Sequence, residues 1–447
     1  MNDLTDSGRQ ASRFSFTRHH YDAATGEVTL SYDVDGQLLT ETITFPWAPW
    51  PPDASRQAAF FQALEVLHLI AGISYYKAGL ARSIELPGCK VDESLAGFLN
   101  ELYTQGLGEF AYVNDLDLSA LPRFEANTDN PPVAMDLDLP ERALVAMGGG
   151  KDSLVCLEML KQAGIEVQPA CVGGSELIGD TAKAAGLPLI RIQRKLSPLL
   201  TEMNATGAWN GHVPVTAINS AILLCAGILY GYRYIVFANE SSANEATLTD
   251  AHGKEINHQY SKSLAFELAL RKVVHERISA NVEYFSLLRS YGELAITRQF
   301  AEMTEYHAVF SSCNRNFHQD GSRIEGRWCQ DCPKCRFAAL ALAPFMGPEQ
   351  LIAIQGDDLL NRQDQLKGFR ELCGLGEDKP FECVGSIAES RATMKHLAAQ
   401  PDWQDKTVVQ TLAVFAEIRQ AGPLELHPDP HAIHCVPSAI QSKLNAL

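Results

Sequence analysis

Gly148-Gly149-Gly150-Lys151-Asp152-Ser153 follows the apolar run Leu144-Val145-Ala146-Met147 and opens a helix with Leu154, Val155, Leu157 and Leu160 on its buried face. Glycines let a backbone approach a ligand closely and take angles that side chains forbid. The unpaired N–H groups of the following helix start, with the positive end of its dipole, make an anion site. Lys151 adds a mobile cation, and the Asp152 carboxylate can position Mg²⁺ against phosphate oxygens. The chemistry expected of this stretch is nucleotide binding through phosphates. A ligand-free strand-to-helix turn is the plain alternative.

Two common phosphate loops fail on spacing. A Walker loop needs Ser or Thr directly after its Lys and a glycine where Val145 stands, and Asp152 intervenes here. The dinucleotide fingerprint is also absent, because residues 151–153 are Lys-Asp-Ser. The stretch resembles the PP-loop of the ATP pyrophosphatase superfamily, S-G-G-x-D-S, with Gly148 in place of the serine. That resemblance implies cleavage of ATP between the α and β phosphates, leaving an adenylated oxygen on the substrate. It also implies that one hydroxyl contact to pyrophosphate is missing or replaced at position 148.

Cys313, Cys329, Cys332 and Cys335 are spaced C-x15-C-x2-C-x2-C. Zinc takes four thiolates tetrahedrally, and two-residue spacings let neighbouring sulfurs converge on one ion. The cluster looks like the zinc site of 7-cyano-7-deazaguanine synthase, another PP-loop enzyme, and a metal here would be structural, pinning a loop over the site. Ordinary free thiols and an iron–sulfur cluster are the competing readings. The other seven cysteines, Cys156, Cys171 and Cys225 among them, are most simply core residues.

His212, in Asn210-Gly211-His212-Val213-Pro214, stands just outside a helix start and can act as acid or base near neutral pH. Phe237 to Glu245 leaves a strand end with two amides, two carboxylates and two hydroxyls, Glu240 among them, which suits substrate or Mg²⁺ contacts. A hydrogen-bonded structural histidine and a capped helix start are the bland readings of these segments. His258 to Ser263 is a second polar cluster, ranked lower.

These residues need elements to hold them. Residues 14–45 alternate as strands, with Asp35-Gly36 as a hairpin turn. Pro46 to Pro52 stops the sheet, and Arg56 to Ala71 reads as an amphipathic helix. Ile73 to Gly79 reads as a loop or short strand, and Glu93 to Tyr103 as a second helix. This makes an N-terminal α+β domain over residues 1–120. Asp115 to Pro140 is linker-like, rich in Asp and Pro without a sustained period. From Arg142 strands and helices alternate: strand 143–147, helix 152–162, strand 166–172, helix 179–185, strand 189–192, a long helix from Pro214 to Tyr230, strand 234–237, strand 282–287 and helix 293–305. Such alternation predicts an α/β fold, a parallel sheet with helices on both faces. That catalytic domain spans 141–345 with the cysteine cluster, and 346–447 is a mainly helical C-terminal region with an irregular tail. Ligands of such sheets lie at the carboxyl ends of strands near the switch point. The rule nominates the 148–153 loop, Val172-Gly173-Gly174, the 238–245 loop and the segment after Leu287. The PP-loop resemblance adds Val172 and Gly173 as adenine-facing residues.

The chain has 447 residues, enough for two or three domains, and 46% hydrophobic and 20% charged residues are ordinary for a globular protein. A net charge of −17 argues against nonspecific nucleic-acid binding. The longest apolar stretch seen in the sequence, Ala217 to Tyr232, is too short to span a bilayer, and no signal pattern opens the chain. Eleven cysteines then suggest reduced thiols or a metal site, and a cytoplasmic enzyme with no membrane or nucleic-acid partner is the expectation.

Gly72 to Lys77, Gly108 to Tyr112, Gly148 to Ser153, Asn210 to Val215, Phe237 to Glu245 and Trp328 to Arg336 together resemble the MurL family of peptidoglycan-precursor epimerases. The resemblance spans roughly residues 14 to 345. It implies a UDP-N-acetylmuramoyl-L-alanyl-L-glutamate substrate, ATP and Mg²⁺ as cofactors, a structural Zn²⁺, and inversion of the terminal glutamate through an acyl-adenylate. Lys151 and the loop N–H groups would hold pyrophosphate, Asp152 would help to hold Mg²⁺, and His212 and Glu240 would move the proton. The rivals are a PP-loop enzyme acting on a nucleobase or tRNA, and a non-catalytic ATP- or zinc-binding adaptor.

Overall fold

Alternate residues of the strands that precede the glycine loop and Glu240 enter two different cores. Ala143, Val145, Tyr234 and Val236 face one, and Leu144, Ile235 and Phe237 face the other. A strand buried on both faces has helices above and below it. In the computed structural model, which describes residues 9–446 except 48–49, 52, 250–252, 254, 317–323 and 377–378, this is the arrangement.

The chain begins with β1 (Phe14–Asp22), β2 (Glu27–Val34) and β3 (Gln37–Thr44), an antiparallel meander. Helices α1 (Ala54–Ala71) and α2 (Ile73–Gly79), the two-residue β4 (Ile84–Glu85), α3 (Glu93–Gln105) and α4 (Gly108–Val113) follow. The loop or short strand expected at 73–79 is therefore a helix. Its Ser-Tyr-Tyr sequence favours strand locally, but all seven residues are buried, so tertiary packing decides the state.

The second half alternates: β5 (Arg142–Ala146), α5 (Lys151–Gln162), β6 (Glu166–Val172), α6 (Glu176–Ala184), β7 (Ile190–Lys195), α7 (Pro198–Ala205), α8 (Val215–Tyr230) and β8 (Tyr234–Phe237). A small ribbon, β9 (Leu248–Thr249) and β10 (Glu255–Ile256), precedes α9 (Leu264–Val273), β11 (Glu283–Ser286) and α10 (Glu293–Glu302). The sheet order is β11-β8-β5-β6-β7-β3-β2-β1-β4. Neighbours from β11 to β7 pair in parallel, so the expected α/β sheet forms.

The meander extends this same sheet. Thr42–Thr44 of β3 pair antiparallel with Gln193–Lys195 of β7. Arg194 fastens the seam, donating from Nε and Nη2 to the fully buried Glu41 carboxylate at 2.7 and 3.0 Å. Residues 115–140 carry little regular structure, as their composition suggests, yet they are held down: the Asn100 side chain bonds both the N–H (2.7 Å) and the carbonyl (3.0 Å) of Phe124.

One face of the sheet is covered by α1 and α8, packed against each other, and the other by α5, α10 and the C-terminal helices. Gly227 lets α8 lie close to β8, because a Cβ there would stand 2.0 Å from Ile235 Cδ1. The run Ala54–Gly79 passes a length-and-apolarity test for crossing a membrane, a longer candidate than the 217–232 stretch singled out from sequence. Its apolar window is 78% buried, because it is the inner cover of the sheet. The C-terminal third contributes α11 (Pro333–Leu342), α12 (Pro348–Gln355), α13 (Leu366–Leu372), α14 (Ile387–Ala398) and shorter turns, and residues 381–389 fold back toward the strand ends.

Candidate active site

The chain leaves β5 for β6 on one side and later reaches β8 on the other, so the sheet order reverses between β5 and β8. The crevice at such a reversal is where α/β sheets bind ligands. A cavity of about 380 Å³ opens here. Its walls include Gly148, Gly150, Lys151, Asp152 and Ser153 after β5, Val172 at the end of β6, Asn239 and Glu240 after β8, and Glu293 at the start of α10. Lys262, Lys334 and Cys383 add to the polar lining.

Gly149 takes φ +79°, the left-handed region open mainly to glycine, and its carbonyl accepts the Ser311 N–H at 3.0 Å. Gly150 precedes α5 and no side chain caps that helix, so its first-turn N–H groups are available to an anion. At Gly148 nothing lies within 4 Å of an added Cβ, so the serine of the superfamily pattern would fit without displacing a neighbour. Gly173, at φ +91°, shapes the turn after β6 but is not part of the cavity wall.

Lys151 is buried and ion-paired with both Asp152 and Glu293. Burial works against its charge, but the two carboxylates outweigh it and hold the ammonium above its ordinary value. Burial pushes Glu293 up to about 8; Lys151 opposes the rise, and Asp152 and Glu240 add to it. Glu240 rises to about 7 through burial and the nearby Glu389, against the stabilising N–H and hydroxyl of Ser242. This acid-rich cluster offers hard oxygen donors of the kind Mg²⁺ takes.

The helix after β11 explains Glu293: the sheet rule pointed to the segment beyond Leu287 but named no residue there. Glu389 reaches the same place from α14, where it accepts the Leu294 N–H at 3.3 Å and closes a capping box with Ser386. Neither Glu389 nor Cys383 carries a sequence signal, because both arrive from the C-terminal region only when it folds over the strand ends. Lys262 belongs to the polar cluster ranked lower in the sequence.

His212 is not among the residues lining the cavity. It stands behind the wall, its Nδ1 3.3 Å from Glu109 Oε2, which also bonds His258 Nδ1. Burial pushes His212 down to about 4 despite Glu109, so the ring is neutral at physiological pH.

Cys313, Cys329, Cys332 and Cys335 converge, with all four sulfurs within 4.8 Å of one another. Cys332 Sγ lies 3.4 Å from Cys335 Sγ and 4.0 Å from Cys313 Sγ, and Cys329 Sγ lies 3.8 Å from Cys335 Sγ. Tetrahedral zinc with sulfur ligands at about 2.3 Å spaces its sulfurs about 3.8 Å apart, so this donor set fits the ion. The flanking Ser311, Ser312, Asn314 and Lys334 line the cavity, so the cluster fixes one wall of it. Cys156, Cys171 and Cys225 are buried as core residues, as expected.

Sequence models of the MurL N-terminal and C-terminal domains match residues 5–287 and 309–423. Three relatives carry the name UDP-N-acetyl-alpha-D-muramoyl-L-alanyl-L-glutamate epimerase. The one from Xanthomonas oryzae is 44% identical over 98% of both chains. Those from Micromonospora and Salinispora tropica are each 42% identical, over 90% of this chain and 91% and 89% of their own. With both family domains matched and such relatives along nearly its whole length, this chain belongs to the MurL family of epimerases, a class of isomerases.

Proposed function

We propose that this protein inverts the terminal L-glutamate of UDP-N-acetylmuramoyl-L-alanyl-L-glutamate by way of an acyl-adenylate, in peptidoglycan precursor synthesis. The observation that carries the adenylation step is the uncapped start of α5 beside the buried Lys151, at the point where the sheet order reverses. The substrate comes from the name of the relatives.

A glutamate carboxylate resists loss of its α-proton, because the product is a poorly stabilised dianion. If the α-carboxylate oxygen attacks the α-phosphorus of ATP, pyrophosphate leaves and the acyl-adenylate no longer carries that negative charge. The Cα–H bond then breaks with its electrons moving onto the acyl oxygen. A proton added on the opposite face inverts the centre, and water releases the D-glutamyl carboxylate and AMP. The PP-loop reading assigns Gly148, Gly149, Gly150, Lys151 and Ser153 to the phosphates, and Val172 and Gly173 to the neighbourhood of the adenine. Asp152 would hold Mg²⁺, which neutralises phosphate charge as it develops. Cys313, Cys329, Cys332 and Cys335 would hold a structural zinc that keeps Lys334 at the cavity. Glu240, on the cavity wall, is a candidate for proton transfer at Cα; His212, the other candidate from the sequence, does not line the cavity.

Purified protein with ATP, Mg²⁺ and the UDP-muramoyl dipeptide is expected to form D-glutamate and AMP together. Lys151→Met should lower both by about 10²- to 10³-fold, the usual cost of one preorganised electrostatic contact. D-glutamate without AMP would refute the adenylate, and AMP without inversion would refute the substrate.

A further inference from the structure

The cavity holds one nucleophilic group that the adenylation chemistry leaves unused. Cys383 Sγ lines it, 2.9 Å from Lys262 Nζ. His258 stands near enough to the same sulfur for the two to shift each other's titration, and it bonds Glu109 through Nδ1. A sulfur held by an ammonium and an imidazole, with a carboxylate behind the imidazole, is the arrangement that keeps a thiolate ready in a site.

Several of the other titratable groups on the wall are engaged. Lys151, Asp152 and Glu293 are tied to one another. Glu240 has both carboxylate oxygens occupied by Ser242. Cys171 is a thiol pushed up by burial to about 11. Burial acts on Cys383 in the same direction, but Lys262, Lys334 and His258 outweigh it and hold the thiol well below its ordinary value. His258 is lowered by burial yet raised overall to about 9 by Cys383 and Glu109, so each of the two groups favours the charged form of the other. Glu382, next in the chain, is itself raised by burial.

We propose that Cys383, with His258 and Glu109 behind it, is the residue that moves the proton at the glutamate Cα on one face. This rests on the proposed adenylation. The Cys383 sulfur takes the Cα proton and becomes a thiol, while the C–H electron pair moves into the acyl group as an enolate. An acid on the opposite face gives a proton to Cα and takes one up from solvent, and the thiol gives its proton to solvent, which restores the resting state. The C-terminal region therefore supplies the proton-transfer group, and the β5 loop supplies activation.

The test separates the two half-reactions. Enzyme with ATP, Mg²⁺ and the UDP-muramoyl dipeptide is assayed for pyrophosphate–ATP exchange and, in D₂O, for deuterium entering the glutamate Cα. Cys383→Ala and Cys383→Ser are expected to keep pyrophosphate exchange within about threefold and to lose Cα exchange by about 10²- to 10⁴-fold, the range of general-base contributions. In the wild type, iodoacetamide at pH 6.5 should alkylate Cys383 ahead of the buried thiols, and substrate with ATP should protect it. Cα exchange at the wild-type rate in both variants overturns the proposal, as does loss of pyrophosphate exchange equal to the loss of Cα exchange. A covalent substrate–Cys383 thioester also overturns it, in favour of a nucleophile. Absence of pyrophosphate exchange in the wild type would instead refute the adenylation on which it rests.

Discussion

Arg289 is the largest fully buried side chain among the described residues, and it ties the cavity floor together. Its guanidinium donates to Glu267 Oε2 from Nε at 3.2 Å and Nη2 at 2.7 Å, to the Glu240 carbonyl at 3.1 Å and to the Lys262 carbonyl at 2.7 Å. Both charged side chains are about 1% exposed. Removing one partner of such a pair leaves a buried charge and costs about 3–5 kcal/mol. Unfolding entropy near 60 °C is about 2.1 cal/mol/K per residue, or about 0.9 kcal/mol/K for a cooperative chain of 447 residues. Arg289→Met should therefore lower Tm by about 3–5 °C in a calorimetric scan. Replacing both charges, as in Glu267→Met with Arg289→Met, removes the unpaired carboxylate and should recover more than half of that loss. Because the carbonyls of Glu240 and Lys262 lose their anchor, activity should fall further than stability, by about 10²-fold for a displacement of about 1 Å. A Tm change below about 1 °C, or two single substitutions whose losses simply add in the double variant, would refute this account.

The remaining expectations are briefer. Burial raises Glu240 to about 7 and Glu293 to about 8 from the usual 4.5, so the folded state binds more protons than the unfolded one between these values. Stability of the ligand-free protein should then be greatest below about pH 4.5 as far as these two groups contribute, and be lost as pH rises through 7 to 8. Melting scans across that window should show Glu240→Gln flattening the slope, and an unchanged slope would count against the buried acid cluster. Protein purified without chelator should hold about one zinc ion per chain, and Cys335→Ser should lose it together with several degrees of Tm. Full metal content in that variant would place the ion elsewhere.

What the sequence made legible was local. Gly148 to Ser153 combines a strand end, backbone freedom, a cation and a helix start within a few residues, so its chemistry is written in one place. The four cysteines owe their legibility to short spacing, and the parallel strands to sustained alternation of apolar runs. The seam between Thr42–Thr44 and Gln193–Lys195 lies about 150 residues apart in the chain and has no pattern of its own. Its partners Glu41 and Arg194 read as ordinary charges until the fold buries them together. Ile73–Gly79 misled for a related reason, since burial on every side imposes helix on residues with a taste for strand. The same limit applies at the site. Lys151 was visible, but Glu293, Glu389 and Cys383 gain meaning only from where they are brought. A glycine-rich loop before a helix announces an anion site, because such a site is made by the loop's own backbone. Proton transfer at Cα needs side chains converging from distant segments, so a linear reading reaches it only in part: of the two residues the sequence nominates, Glu240 lines the cavity and His212 does not.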